Sequence, residues 1–277
     1  ATVASSMLQV TYPLSTDEHL RRSVNDLSEL ASFRLGKFYE ATDAITADVA
    51  YRHTAQSDPD MNLTWVTAGH YFSRKFAPTD INRDMTLRSY LTSVGGKSVE
   101  IRTDALQADP DDPNRERLVN VCHTTMVALD AGTRKPTNVP PMRADPTDEE
   151  GEARRLALAK SHRSRLHARR NASMLLRMPM SEPPTQEEMH AIHELHRKAA
   201  LEWETGDRSS FELVSEHTHQ MSQTVLPEGR NVHGKLFGGY IMREGFDLAN
   251  FAAKYFMGAQ PIAIGLDEAT FVQPISI

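Results

Sequence analysis

The sequence predicts an α+β fold built from two copies of one strand–helix–strand unit. Three observations carry that expectation. The first is order. "MLQVTYPL", "FRLGKFYEATDAITADVAYRHT" and "LTWVTAGHYF" read as strand, glycine-mouthed helix and strand, and the same order returns near the end of the chain. There the pieces are "SSFELVSEHTHQMSQTVLPEGRN", "GGYIMREGFD" and its continuation, then "PIAIGLDEATFVQPISI". Repeats of this kind outrank single motifs as evidence of architecture. The second observation is a set of β-branched and aromatic runs that follow the first helix without another helix between them. The third is length: 277 residues suffice for one large or two ordinary domains with a sizeable core.

Three regions follow along the chain. Residues 1–145 hold the first helix and the strand-like runs "LTWVTAGHYFSRKF", "TLRSYLTSVGGKSVEIRTDALQ" and "RLVNVCHTTMVALDAG", with "ADPDDPN" as a turn between the last two. The Pro-rich stretch "KPTNVPPMRADPTDEEGE" closes the region. Residues 146–208 read as a linker of two charged helices. The second opens at "PTQEE", where Thr185 is the cap and Glu188, three residues on, completes a capping box. His190, His193 and His196 share one face of that helix, which reads as a solvated surface before a metal site; the basic run Arg163–Arg170 reads the same way. Residues 209–277 form the second copy.

Each long helix has two faces. In the first, Phe38, Ala41, Ile45 and Val49 form the apolar stripe, Asp48 borders it, and Asp43 lies away from it, near Gly36 and Tyr39 in projection. In the second, Ile241, Gly245, Leu248, Ala252 and Phe256 form a stripe suited to a sheet, opposite Arg243, Asp247, Asn250 and Lys254. Gly238 and Gly239 stand at the mouth of the second helix. A helix start presents unpaired N–H groups and a partial positive charge, and glycine lets a carbonyl or phosphate come close. Such a mouth stabilises an oxyanion. The plainer reading is that the two glycines permit tight packing, and physics alone leaves both open. Cys122, the single cysteine, alternates inward on a strand and reads as core rather than as a nucleophile, which would need a partner base.

The pattern "N-x-x-x-x-x-F-G-G" from Asn231 to Gly239, with Gly234 inside it, resembles the hotdog-fold acyl-CoA thioesterases. "DEATFVQPISI", with Phe271 and Pro274, is similar to the strand that follows in that family. "SYLTSVGGKSVEIRTDALQ" resembles its paired strands around a V-G-x-x-S turn. Two copies and a long linker look most like the eukaryotic mitochondrial double-hotdog members. The resemblance implies a tandem hotdog, each module an antiparallel sheet wrapped around a central helix. It also implies hydrolysis of acyl-CoA to a carboxylic (fatty) acid and coenzyme A. Coenzyme A is then part of the substrate, and no separate cofactor or metal is implied. The family commonly sets an Asn near one helix mouth against a carboxylate on the partner's helix. Placing Gly36 against Gly239 puts Asp43 seven residues past the mouth; its counterpart is Phe246, and Asn231 maps onto Ser28. The implied site therefore takes Asp43 from one copy and Asn231 with Gly239 from the other, Gly238 and Phe237 lining the substrate. Asp247 and Glu244 are the alternative carboxylates. Other functions left open are a non-catalytic acyl-CoA-binding or scaffold protein and a hotdog-fold hydratase. The implied partners are acyl-CoA and further copies of the chain, in threes of double-hotdog chains; the implied compartment is the mitochondrial matrix, with the cytoplasm as alternative.

Several classes recede. A formal charge of −6 argues against a general nucleic-acid binder, and one cysteine forbids an intramolecular disulfide. The apolar runs are too short for a transmembrane segment. "VGGKS" lacks the upstream P-loop glycine, which is Leu91 here. "NLT" and "NAS" match a glycosylation pattern that matters only on secretion. The start "ATVASSMLQV" has no initiator Met and no apolar signal core, compatible with a processed or recombinant beginning. After Ile277 a hotdog needs more strands over its helix, so the second module is expected to be incomplete and the sequence truncated.

Overall fold

The computed structural model describes residues 1–25, 32–144, 149–176, 183–206, 214–231, 233–271, 273 and 275, the side chains of 169–176 excepted. The chain divides into two compact units, Ala1–Ala159 with Gln220–Ile277, and Lys160–His219. The first unit contains α1 (Val3–Ser6), β1 (Leu8–Tyr12), α2 (Glu18–Val24), α3 (Leu35–Ser57), β2 (Leu63–Lys75), β3 (Met85–Val94), β4 (Ser98–Ala108) and β5 (Glu116–Asp130). Helix α4 (Glu149–Leu176) follows, then α5 (Gln186–Thr205); α6 (Gly238–Met257) and β6 (Gly265–Thr270) complete the first unit.

Six strands form one antiparallel sheet in the order β1-β3-β4-β5-β2-β6. Helix α3 lies on it. Phe38, Ile45 and Val49 of the predicted stripe are buried there, against Leu87, Leu91, Ile101 and Met126 of the sheet. Thr42, Thr46 and Thr54 are buried too. The Thr46 hydroxyl donates to the Thr42 carbonyl at 2.9 Å and that of Thr54 to the Ala50 carbonyl at 3.3 Å, so these two hydroxyls reach the interior satisfied by their own helix, while the Thr42 hydroxyl has no hydrogen-bond partner among the described residues. A sheet wrapped around one long helix is the hotdog architecture. Helix α6 and β6 are the described pieces of a second module. Strand β6 extends the first module's sheet by pairing with β2, and α6 packs on α3.

In α5 the Thr185 hydroxyl accepts from the Glu188 N–H at 3.2 Å while the Glu188 carboxylate accepts from the Thr185 N–H at 2.8 Å, the capping box expected from "PTQEE". His190, His193 and His196 all stand exposed on that helix.

The strand expected to open the run 209–231 falls on 209–213, outside the described residues; further along, Val214–His217 and Pro227–Gly229 are single 3₁₀ turns. One expectation for the second copy needs correction. The stripe through Ile241, Gly245, Leu248, Ala252 and Phe256 was expected to pack on a sheet. Gly245 and Phe256 are exposed, and the buried residues of α6 are Gly239 and Met242. The reason is geometric: α6 turns its Met242 side to α3, and among the described residues no sheet covers the other face.

Strand β2 carries the irregularity on which the site depends. Its register against β5 shifts between Thr67 and Gly69, leaving Ala68 as an extra residue, and shifts again between Tyr71 and Arg74. Phe72 sits at the second shift with φ 49°, a left-handed conformation that bulky residues adopt only under constraint. Beside it β6 comes very close. A Cβ on Gly69 would stand 2.5 Å from the Ala269 carbonyl oxygen, so only glycine fits. Gly69→Val should therefore lower stability by about 1–3 kcal/mol in urea unfolding. Hydrogen exchange should locate the loss in β6, with β3 and β4 unchanged.

Candidate active site

The Asp43 side chain projects from the third turn of α3 and is 3% exposed. Its Oδ2 accepts from the Gly239 N–H at 2.7 Å, across 196 residues of sequence. Its Oδ1 accepts from the Thr67 hydroxyl at 2.6 Å. His70 Nε2 stands 3.4 Å from the same Oδ1, an ion-pair distance without hydrogen-bond geometry. A buried carboxylate needs such partners, because desolvating an unpaired charge is prohibitive. The α6 N-terminus contributes its N–H and its dipole together.

The glycines at this mouth serve both readings at once. A Cβ on Gly239 would lie 2.8 Å from the Glu40 carbonyl oxygen, and one on Gly238 would lie 2.9 Å from Asp43 Oδ2. Close packing of α6 on α3 is thus the condition that brings the N–H to the carboxylate. Phe237 is the N-cap residue, with its backbone extended and its N–H donating to the Gly229 carbonyl at 2.9 Å. The Phe271 ring borders the would-be Gly238 Cβ at 3.3 Å and meets the His70 ring edge-on at 6.2 Å.

Thr67 and His70 were not singled out from sequence. They are three residues apart, which on a regular strand sends side chains to opposite faces. The extra residue at Ala68 resets the alternation and turns both towards Asp43. His70 is fully buried, and its Nδ1 lies 2.9 Å from the Thr124 hydroxyl. Burial alone would depress the imidazole pKa; the Asp43 carboxylate and the nearby Cys122 thiol outweigh that and push it up to about 9. Cys122 Sγ is 3.9 Å from His70 Nδ1 and fully buried in the core cluster around Tyr39.

Asn231 sits in the loop that leads into α6. Its Oδ1 accepts from the His233 and Lys235 N–H groups at 2.9 and 3.1 Å, so the amide oxygen holds its own turn. His233 Nε2 meets the Tyr51 hydroxyl at 3.1 Å, which pins this loop to α3 about two turns beyond Asp43. No described hydrogen bond joins Asn231 to Asp43. Its counterpart Ser28 and the family-like Pro274 lie outside the described residues.

The alternative carboxylates are placed elsewhere. Glu244 is bound by Arg243 at 2.7 Å and Gln223 at 2.9 Å; burial works against its ionisation, but these two partners prevail and hold its pKa below the usual range. Asp247 stands at the other mouth, where a Cβ on Gly36 would be 2.8 Å from its Oδ1. Burial raises its pKa, opposed by Arg34 at 3.7 Å. A cavity of about 300 Å³ lies there, lined by Arg34, Lys75, Phe246, Asp247 and Asn250 among others, and it does not include Asp43. The helix crossing is locked between the two mouths by Arg243, whose guanidinium donates to Glu40 at 2.7 Å.

A buried carboxylate on a helix mouth, in a two-module hotdog, is the setting in which the comparisons are informative. No protein-family profile matches the chain. It is 25% identical to acyl-coenzyme A thioesterase 10, mitochondrial, of Mus musculus, over 99% of this chain and 62% of that protein. It is 26% identical to acyl-coenzyme A thioesterase 4, mitochondrial, of Humulus lupulus, over 99% of this chain and 51% of that one. The chain is similar in sequence to these acyl-CoA thioesterases. It spans about six-tenths or less of the length of these curated thioesterase relatives. Among solved structures, an acyl-CoA hydrolase from Bacillus cereus aligns with 65% of this chain and 98% of its own, at 19% identity and a TM-score of 0.49. No helix among the described residues is long and apolar enough to cross a membrane.

Replacing Thr67 by Val keeps shape but removes the donor to Asp43 Oδ1. Thr67→Val should lower unfolding stability by about 1–3 kcal/mol, measured in urea, because a buried carboxylate oxygen loses its partner.

Proposed function

We propose that this chain carries a catalytic centre of an acyl-CoA thioesterase, hydrolysing acyl-CoA to a carboxylic acid and coenzyme A. The observation that carries the reading is the buried Asp43 carboxylate held on the Gly239 N–H at the mouth of α6. The thioesterase relatives matched over nearly the whole chain support it. The site is composite, with Asp43 from the first module and Asn231 and the Gly238–Gly239 mouth from the second.

In this reading Asp43 is the base. It takes a proton from water as the water oxygen attacks the thioester carbonyl carbon. Protonation discharges Oδ2, so its hold on the Gly239 N–H weakens just as negative charge grows on the substrate oxygen. The Gly238–Gly239 mouth then donates to that oxyanion, where the helix dipole favours it. Collapse of the tetrahedral intermediate breaks the C–S bond. Asp43 returns its proton to the leaving sulfur, giving the acid and the free thiol. Direct attack by Asp43 on the carbonyl is the covalent variant of the same geometry. Asn231 orients the water or the carbonyl, for which its amide must leave the turn it holds in the unliganded chain. Phe237 and Gly238 line the substrate. Water and these groups suffice for hydrolysis, without a further cofactor. Assembly of double-hotdog chains in threes and residence in the mitochondrial matrix belong to the same proposal; the second rests on the compartment named for the relatives.

Thiol release from a panel of acyl-CoA substrates of different chain length tests the function. Turnover is expected, and Asp43→Asn should cut kcat by about 10²–10⁴ while acyl-CoA binding persists. Asn231→Ala should slow turnover strongly, and Phe246→Leu should be mild. Binding without turnover would instead make the protein an acyl-CoA binder. Loss of turnover in Asp247→Asn or Glu244→Gln, with Asp43→Asn active, would move the site to the other mouth.

A further inference from the structure

Among the buried groups that this mechanism leaves unused, His70 faces the reacting carboxylate. Its surroundings can be enumerated. From α3 it meets Asp43, with Nε2 3.4 Å from Oδ1. From β5 it meets the Thr124 hydroxyl at 2.9 Å and the Cys122 thiol at 3.9 Å, both at Nδ1. Ala269 is its partner on β6, and the Phe271 ring closes the remaining side. Asp43 is thus the carboxylate that faces it, and Cys122 the other titratable group.

Nε2 has no hydrogen-bond partner, yet it is fully buried and aimed at a carboxylate oxygen. A bare nitrogen lone pair facing that oxygen would be repelled, so Nε2 carries the proton. Oδ1 is already occupied by the Thr67 hydroxyl at 2.6 Å and Oδ2 by the Gly239 N–H at 2.7 Å. Those two donors fix where the carboxylate points. A neutral ring with its hydrogen on Nε2 meets that geometry as an imidazolium does; the carboxylate oxygen 3.4 Å away in the same buried site is what favours the charged form.

We propose that His70 is a positioning residue acting through Asp43, an imidazolium that keeps the buried carboxylate ionised and ready to accept a proton. The proposal rests on the thioesterase reading for its catalytic meaning, but the ion pair itself does not. Burial pushes a carboxyl group towards its neutral form, which cannot serve as a base; an opposite charge within about 4–6 Å reverses that by about 1–3 pKa units. The upward displacement of the imidazole to about 9 accords with the pair.

The test has two arms, both on the full chain. The first is a histidine-ring NMR titration, which needs no substrate. The His70 ring should stay protonated past pH 8 in the wild type, and should titrate at lower pH in Asp43→Asn. A wild-type His70 that is neutral at pH 7 overturns the proposal, whether or not the protein is an enzyme. The second arm is the pH profile of kcat/KM in His70→Gln and His70→Asn, with folding checked by circular dichroism. The acidic limb should move to higher pH. Activity at pH 5 should then fall about tenfold or more, while activity near pH 8 stays within a few-fold of wild type. A folded variant whose loss is equal at every pH means a merely structural histidine and overturns the proposal. Should the variants not fold, the wild-type titration decides alone. A high His70 pKa in a chain with no thioesterase turnover would sustain the ion pair and remove the thioesterase reading instead.

Discussion

The structure depends on one constraint: a carboxylate has been buried, and it must be satisfied. Asp43 meets that demand with three partners from two separate segments, Gly239 from α6 and, from β2, Thr67 and, at ion-pair distance, His70. Each donor in turn requires a local deformation. The Gly239 N–H arrives only because two side-chain-free residues let α6 touch the backbone of α3. Thr67 and His70 arrive together only because β2 is bulged. Removing any one partner leaves a charge in a site with little access to water, which is why the glycines and the bulge are best understood as conditions of the same contact.

The helix crossing carries the rest of the arrangement. Arg243 bridges Glu40 of α3 and Glu244 of its own helix, with its guanidinium over the Tyr240 ring at 4.7 Å from the centroid. This partly buried network sits between two helix mouths of opposite character. At one mouth Asp43 is enclosed and bonded to the backbone. At the other, Asp247 is half-buried beside Arg34, and the counterpart of Asp43 on the helix register is the apolar Phe246. Two similar helices in one chain have thus diverged into one enclosed carboxylate centre and one open, salt-bridged cavity. The matched thioesterases share nearly all of this chain's length, so the asymmetry belongs to the region of resemblance.

Much of this was legible in the sequence, and the limits were physical. The α3 stripe, the strand runs and the capping box at Thr185 follow from periodicity and local chemistry, and they stand where expected. The glycine mouth was visible, and the family resemblance, aligned through the internal repeat, is what pointed to Asp43 as the carboxylate. Thr67 and His70 escaped because a pattern of period two cannot reveal a bulge, and one inserted residue reverses every later side chain. A histidine inside the otherwise apolar and small run "WVTAGHYF" was the signal that could have drawn attention to His70. The stripe on α6 was read correctly as apolar, but periodicity does not say which face meets a neighbour, and it is Met242 that packs on α3. Asn231 was placed at the mouth by its motif, whereas its amide oxygen serves its own turn, a local competition that side chains of this type commonly win.

The most direct measurement of the central claim is a crystal structure of the full chain with a non-hydrolysable thioether analogue of acyl-CoA that retains the carbonyl. The account predicts the carbonyl oxygen at the Gly238–Gly239 backbone, and the carbonyl carbon or an intervening water within about 3–3.5 Å of the Asp43 carboxylate. An analogue whose carbonyl sits instead in the cavity between Arg34 and Asp247, with the Asp43–Gly239 bond undisturbed, would contradict it.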